Sequence, residues 1–263
     1  MSRSRKSPPR RPKPLAHSKE ARGAPARVDW LSRALARAGV MTLAEAEHVI
    51  KAGRVEVAGR VVKQPLAPLK PTDVVRVDGQ RVELSAATRV LVFHKPTDVV
   101  TAPGEGGVFE MLSSVLPDEL RTFQWHAVGR LDRNTTGLLL FTNDEQFVAH
   151  ATSPETHLTK RYVAQVQGQL DDAKLEPLRR GMELDDGPTR PAKARIRGPN
   201  EVEIILTEGR NHQVKRMLGE VGLPVRALHR EAVGGLELDV ELGGFRLLDA
   251  EEIREKLRYE PRG

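Results

Sequence analysis

HAVGRLDRNTTGLLLFTND, residues 126–144, reads as a polar loop running into an apolar strand, GLLLF, with one carboxylate, Asp132, at the junction. A loop aspartate ahead of a strand has an ordinary reading as a turn cap. It also has a chemical one, as the single acidic catalyst of an enzyme that works on nucleic acid. The two arginines, Arg130 and Arg133, and the two threonines around it fit either reading. The rest of the chain has to decide between them.

On either side of this stretch lie more strand-like runs. RVLVFHKP is apolar and ends at Pro96, while KRYVAQVQG (160–168) and EVEIILTEG (201–209) alternate apolar and polar residues. Helical spacing falls at 172–181, 211–221 and 250–258. Strands and helices mix without regular strand-helix-strand spacing. The expectation for residues 86–263 is therefore an α+β domain on a mixed, largely antiparallel sheet.

Upstream, residues 28–84 follow a different pattern. VDWLSRALARAG puts Leu31, Ala34, Leu35 and Ala38 on one helical face, with Gly39 as a stop. Thr42 and Glu45 form a capping-box signature before a second helix with Ala46, Val49 and Ile50 on its apolar face, closed by Gly53. Two hairpins follow, turning at Ala58-Gly59 and Asp78-Gly79. Two short helices and short strands make a compact N-terminal domain.

Residues 1–27 carry nine Lys or Arg, one Glu and five prolines. Their net +8 leaves −2 for the rest of a chain that totals +6. So little apolar surface cannot offset the entropy of ordering, and this basic tail is expected to be disordered. A cationic tail on a near-neutral body suggests a polyanionic partner. There is no cysteine, which excludes disulfides, zinc-thiolate sites and a cysteine nucleophile. No apolar run reaches the roughly 20 residues of a membrane helix. A soluble cytoplasmic protein with no membrane association is expected.

The histidines show no metal-ligand spacing, and GEGG at 104–107 lacks the lysine of a phosphate loop, so neither a metal nor a cofactor is expected. What remains is Asp132 and two other stretches. Lys160-Arg161-Tyr162 opens an alternating strand with one of the chain's two tyrosines. LTEGRNHQVKRM (206–217) is a cationic turn feeding a helix in which Val214 and Met217 face inward and Lys215 and Arg216 do not.

The run from Leu31 to Gly39, Ala44 to Ile50 and Lys51-Ala52-Gly53-Arg54-Val55 resembles the S4 RNA-binding domain. GRLD with Thr135 and Gly137, the strand tyrosine, GRNHQVKRM and LHREAVGGLEL (228–238) together resemble the pseudouridine synthases. The likeness is to the bacterial branch that joins an S4 domain to the catalytic domain, and within it GRNHQVKRM and LHRE look most like the small-subunit enzyme. It covers roughly residues 28–250. It implies isomerisation of uridine in ribosomal RNA or in a ribosomal assembly intermediate, with small-subunit RNA first and large-subunit RNA as the alternative. It implies Asp132 as catalyst at the ribose, Tyr162 against the uracil and Lys215 holding and aiming Asp132. Arg130 would fill the place of the flipped base. Arg210 and Arg216 would contact the RNA backbone. Arg33, Arg37, Lys51, Arg54 and Arg60 would meet phosphates from the S4-like domain. A monomer is expected. The competing class is a catalytically silent S4-type RNA-binding or ribosome-assembly protein, in which Asp132, Tyr162 and Lys215 are structural. Two departures stand out: Met41-Thr42-Leu43 replaces arginines at the second helix, and Asp98 replaces the glycine after Lys95-Pro96-Thr97.

Overall fold

A computed structural model describes residues 29–70, 72–84 and 87–262. The basic stretch 1–27, expected to be disordered, lies outside the described residues. In the N-terminal part, α1 (Leu31–Arg37) and α2 (Leu43–Lys51) pack on a four-stranded antiparallel sheet. Its strands are β1 (Val55–Val57), β2 (Arg60–Val62), β3 (Val75–Val77) and β4 (Gln80–Val82), in the order β2-β1-β3-β4. The capping box forms as the spacing predicts, with Thr42 and Glu45 exchanging hydrogen bonds. Both hairpin turns place two successive residues at positive φ, Ala58-Gly59 and Asp78-Gly79, as a two-residue turn requires. The buried face of α1 differs from the expected one: Ser32 and Ala36 are buried and Ala38 is only half-buried, because α1 also touches the region that follows. Gln124 donates its backbone N–H to the Ala36 carbonyl at 3.3 Å, and Gly39 leaves room for the ring of Phe123.

The larger part is a nine-stranded sheet. Its elements in chain order are β5 (Val90–Lys95), α3 (Val108–Val115), β6 (His126–Val128), β7 (Thr135–Thr142), α4 (Glu145–Thr152), β8 (Lys160–Val166), β9 (Lys193–Gly198), β10 (Glu201–Leu206), α5 (Gln213–Glu220), β11 (Val225–Val233), β12 (Phe245–Leu247) and α6 (Ala250–Leu257). The strand order is β9-β10-β8-β11-β7-β5-β12, with β6 beside β7 and Leu236–Glu237 beside β11. Only β11 and β7 pair in parallel, and the other ladders described for this sheet are antiparallel. The mixed, mainly antiparallel α+β architecture is the one the sequence predicts. Two expectations are corrected. His126–Val128 is a strand rather than loop, because its residues pair with Leu140–Thr142. The helices α3 and α4 and the strands β9, β11 and β12 were not anticipated from apolar spacing.

One strand edge organises the site. Along the same side of β7, the end at Leu140–Thr142 pairs with β6 and the end at Thr135–Gly137 pairs with β11. The GRLDRN loop leaves β6 at Val128, opposite Leu140, and enters β7 at Thr135, opposite Leu228 of β11, so it spans the gap between the two neighbours. Gly137, at φ +112, permits this, since a Cβ there would collide with the backbone of Arg230 on β11. One apolar cluster packs α5 against β8, β10 and β11, and another packs α3 against β5 and β7. Tyr162 touches both. On the other side of β7, buried Asp144 caps α4 and accepts from Thr88 (2.7 Å), Tyr259 (2.9 Å) and Arg262. Burial alone would raise its pKa, but these hydrogen bonds and that of the Gln146 amide outweigh it and hold the carboxyl below its ordinary range. No helix among the described residues is long and apolar enough to cross a membrane.

Candidate active site

Asp132 sits on the projecting loop with its side chain 25 % exposed. The loop backbone is fixed from below. Lys95, fully buried at the end of β5, donates to the carbonyls of Pro96 (2.9 Å), Arg133 (3.2 Å) and Thr135 (2.9 Å). Three carbonyls match the three protons of an ammonium. Burial pushes Lys95 down to about 8, against the pull of nearby Asp132 and Asp98. Thr101 clamps the same loop through its hydroxyl, which donates to the Leu131 carbonyl at 2.8 Å and accepts from the Leu131 amide at 3.2 Å. The Thr135 amide donates to the Asp132 carbonyl at 3.0 Å. Asp98 adopts φ +64, a left-handed geometry that glycine meets freely and that aspartate tolerates better than most side chains. The substitution after Lys95-Pro96-Thr97 therefore keeps a glycine-like turn.

The carboxylate itself is held from α5. Lys215 Nζ donates to Asp132 Oδ2 at 2.7 Å and to Asn134 Oδ1 at 2.6 Å. His212 Nε2 lies 3.3 Å from Oδ1. His212 precedes α5 in a left-handed conformation, φ 49 and ψ 26, an uncommon one for this residue type. Buried Gln213 braces the turn by accepting from the Arg210 amide at 3.0 Å and donating to Glu208 at 2.5 Å.

Tyr162, Arg130, Asp132, Thr135, Arg210, His212 and Leu228 line one small pocket of about 60 Å³. The structure thus gathers Asp132, Lys215, Tyr162, Arg130 and Arg210 around one point. Arg130 is exposed and has no ion-pair or hydrogen-bond partner among the described residues. Arg210 is different. It is 17 % exposed, ion-paired to Asp186, and donates to the carbonyls of Pro188 and Gly187, both at 2.9 Å. Arg216 pairs with Asp185 and Asp186. Of the N-terminal cations, Arg54 pairs with Asp78 at 2.6 Å and Lys51 lies 3.6 Å from Glu47. Arg33 and Arg60 are exposed and unpaired among the described residues, and Arg37 lies near His126.

Sequence reasoning missed four contributors. Arg230, 5 % exposed, donates to the Leu138 carbonyl at 2.7 Å, and its guanidinium lies 6.0 Å from the Tyr162 ring centre and 3.5 Å from the Tyr162 hydroxyl. Lys95, His212 and Thr135 complete the set. The Thr135 hydroxyl is buried, has no hydrogen-bond partner among the described residues and borders the pocket. A lysine closing the apolar run RVLVFHK was the one sequence signal for Lys95. Arg230 and Thr135 depend on which strands adjoin, and His212 on how the turn before α5 meets the Asp132 loop.

Comparison with known proteins places these features in a wider set. A family model described as RNA pseudouridylate synthase matches residues 89–220. The chain is 35 % identical over 249 residues to the ribosomal large subunit pseudouridine synthase B of Escherichia coli, covering 88 % of this chain and 84 % of that protein. It is 36 % identical over 211 residues to the ribosomal small subunit pseudouridine synthase A of Yersinia pestis, covering 78 % and 88 %. A crystal structure of a pseudouridylate synthase superposes with a TM-score of 0.60 at 29 % identity, covering 87 % of this chain and 99 % of that one.

Proposed function

The chain belongs to the RNA pseudouridylate synthase family, and from that premise we propose that it converts one uridine of ribosomal RNA to pseudouridine, with Asp132 as the group that acts on the ribose. The observation that carries this reading is the 2.7 Å contact of Lys215 with Asp132 in a pocket walled by Tyr162 and Arg130. The reaction breaks the C1′–N1 bond, joins C1′ to C5, removes the C5 proton and places a proton on N1. It involves no net redox change and no second substrate.

The sugar becomes electron-poor as C1′–N1 breaks, and a fixed carboxylate at its face stabilises that charge. Asp132 can do so as nucleophile at C1′ or as base at C2′. Lys215 and His212 set the direction of its two oxygens. Tyr162 offers its ring to the uracil and its hydroxyl to the proton leaving C5, and Arg230 locks that ring from behind. The unpartnered Thr135 hydroxyl is available to a polar edge of the base. The pocket, at about 60 Å³, is small beside ordinary ligand sites of about 300–1,000 Å³. Entry of a base therefore has to displace Arg130 or His212, the exposed residues on its rim. Arg130, unpaired and close by, takes the space the flipped base leaves.

Residues 28–84, with Arg33, Arg37, Lys51, Arg54 and Arg60, are in our reading the RNA-gripping S4-like part, and residues 86–263 the catalytic one. GRNHQVKRM and LHRE favour small-subunit RNA as the substrate. The match to large-subunit enzymes extends over more of the chain and supports the alternative.

The test is tritium release from C5-tritiated small- and large-subunit transcripts and their assembly intermediates. Release should occur with one class of RNA and fall by at least about 10³-fold in Asp132→Asn, with RNA binding retained. Binding without release from any of these RNAs would leave a silent binder instead.

A further inference from the structure

Of the ten Trp, Tyr and Phe residues of the chain, nine are buried or half-buried. The tenth, Trp30, is 36 % exposed at the entry to α1. Two exposed apolar residues lie beside it. Asp29–Trp30 pairs with Pro68–Leu69 in antiparallel register, so Pro68 sits directly across from Trp30, and Leu66 is 63 % exposed just before it. Resting on the isomerase reading above, we propose that Trp30 is a stacking platform for an unpaired RNA base, distinct from the target uridine, that anchors the RNA on the S4-like part.

The surroundings suit a nucleic-acid base. The two segments that frame Trp30 are α1 and residues 63–70. Together they carry Arg33, Arg37, Lys63 and Lys70 and no acid, and Asp29 is the one acid between residues 28 and 38. A ring flanked by cations holds single-stranded nucleic acid without reading its sequence, because the base stacks while the cations meet phosphate. A protein partner would need an interface of about 20–30 residues a side. One exposed ring with two small apolar neighbours matches one base instead. The platform is also rigid. The Leu31 amide donates to the Ala67 carbonyl and the Ser32 amide to the Pro65 carbonyl, both at 3.0 Å, which fastens residues 65–68 to the first turn of α1. Pro65 and Pro68 restrict that segment further. Little freedom is left to lose when a base arrives.

The platform is aligned with the catalytic loop. Leu31, Ser32, Ala34, Leu35 and Ala36 are buried, which leaves Arg33 in solvent and Arg37 half-buried. Trp30, Arg33 and Arg37 are three and four residues apart, so they follow one side of α1. The helix has seven residues, about 10 Å. At its far end Arg37 lies near His126, and His126 lines a cleft with Arg130, which also borders the Asp132 pocket. RNA that follows this stripe from Trp30 arrives at the loop of Asp132.

The test uses the full chain and a ribosomal RNA fragment that it converts. Titration with this RNA should quench tryptophan emission, and Trp30→Leu should abolish the quench. The other tryptophan, Trp125, is half-buried with its indole N–H bonded to the Leu120 carbonyl at 2.8 Å. Trp30→Leu should raise Kd and KM about tenfold, the order of one base-aromatic contact, at unchanged kcat. Its salt dependence of binding should match wild type, whereas Arg33→Ala should reduce the salt slope by about 1. Trp30→Phe, which keeps a ring, should recover most of the affinity. One abasic nucleotide outside the target should abolish the wild-type quench and cost Trp30→Leu nothing more. The proposal falls if RNA leaves Trp30 emission unchanged, if Trp30→Leu binds like wild type, or if Trp30→Phe is as weak as Trp30→Leu. Emission that responds to deletion of residues 1–27 and not to RNA would give the patch to the chain's own N-terminal stretch instead. Because the fragment is one that the wild-type chain converts, each of these failures counts against the platform and not against the isomerase reading.

Discussion

The two banks of the Asp132 pocket carry similar arginines in opposite states. On the loop bank, Arg130 is exposed and unpartnered among the described residues. On the helix bank, Arg210 and Arg216 are bound to the acidic hairpin that holds Asp185 and Asp186. The guanidiniums of Arg216 and Arg210 pull Asp186 to far below the ordinary carboxylate range, and the pairing locks the start of α5, and with it Lys215. A guanidinium that already satisfies its fork of donors has little left for RNA, whereas one in water can trade solvent for phosphate or for a vacated base stack. In the reading proposed above, the difference separates a cation that builds the site from one left free to meet substrate.

The comparison can be broken by mutation. Arg130→Ala should lower kcat by about 100-fold, the order of a misplaced reacting group, with a much smaller change in RNA Kd. Arg210→Ala should instead lower the Tm by about 2–4 °C, the shift that a loss of about 1 kcal/mol gives in a domain of this size. Its salt dependence of RNA binding should match wild type. If Arg210→Ala flattens the salt dependence while Arg130→Ala only lowers Tm, the two roles are reversed.

Lys95 gives a smaller and pH-gated effect beneath the loop bank. In the folded chain it sits at about 8, against 10.5 for an unperturbed lysine. Below pH 8 both folded and unfolded chains hold the proton and this group adds no slope. Between about 8 and 10.5 the unfolded chain holds a proton that the folded chain has lost, so this group makes stability rise with pH. Activity should move the other way over that window, because a neutral amine gives up one of the three donors that hold the loop. Urea midpoints and initial rates at pH 7, 8 and 9 measure both, and parallel changes would count against the role. Asp98→Gly should be the mildest change, within about 0.5 kcal/mol, because relief of the positive φ offsets the greater freedom of glycine in the unfolded chain. It also removes a carboxylate that raises Lys95, so the alkaline fall in activity should begin at lower pH.

How much of this was legible depended on whether the signal was local. GRLD, the strand tyrosine and GRNHQVKRM are contiguous patterns, and Asp132 and Lys215 come together from them at 2.7 Å. The capping box of Thr42 and both hairpins were legible for the same reason. Arg230 was not, because its position behind Tyr162 is set by the register of β11 against β8 and by the close approach at Gly137. The pairing of Arg210 with Asp186 spans 24 residues and depends on a hairpin of two-residue strands, too short for any periodicity to reveal. Helices α3 and α4 were not anticipated, although they are eight residues long like α5 and α6, which were.

Asp144 joins distant parts of the chain: its carboxylate binds Thr88 from before β5 and Tyr259 and Arg262 from beyond α6, while β12 zips onto β5. A contact between positions 88 and 262 has a high sequence separation, and such closures are slow. During translation this clasp can therefore not close until residue 262 has left the exit tunnel, long after Thr88 and Asp144 themselves have emerged.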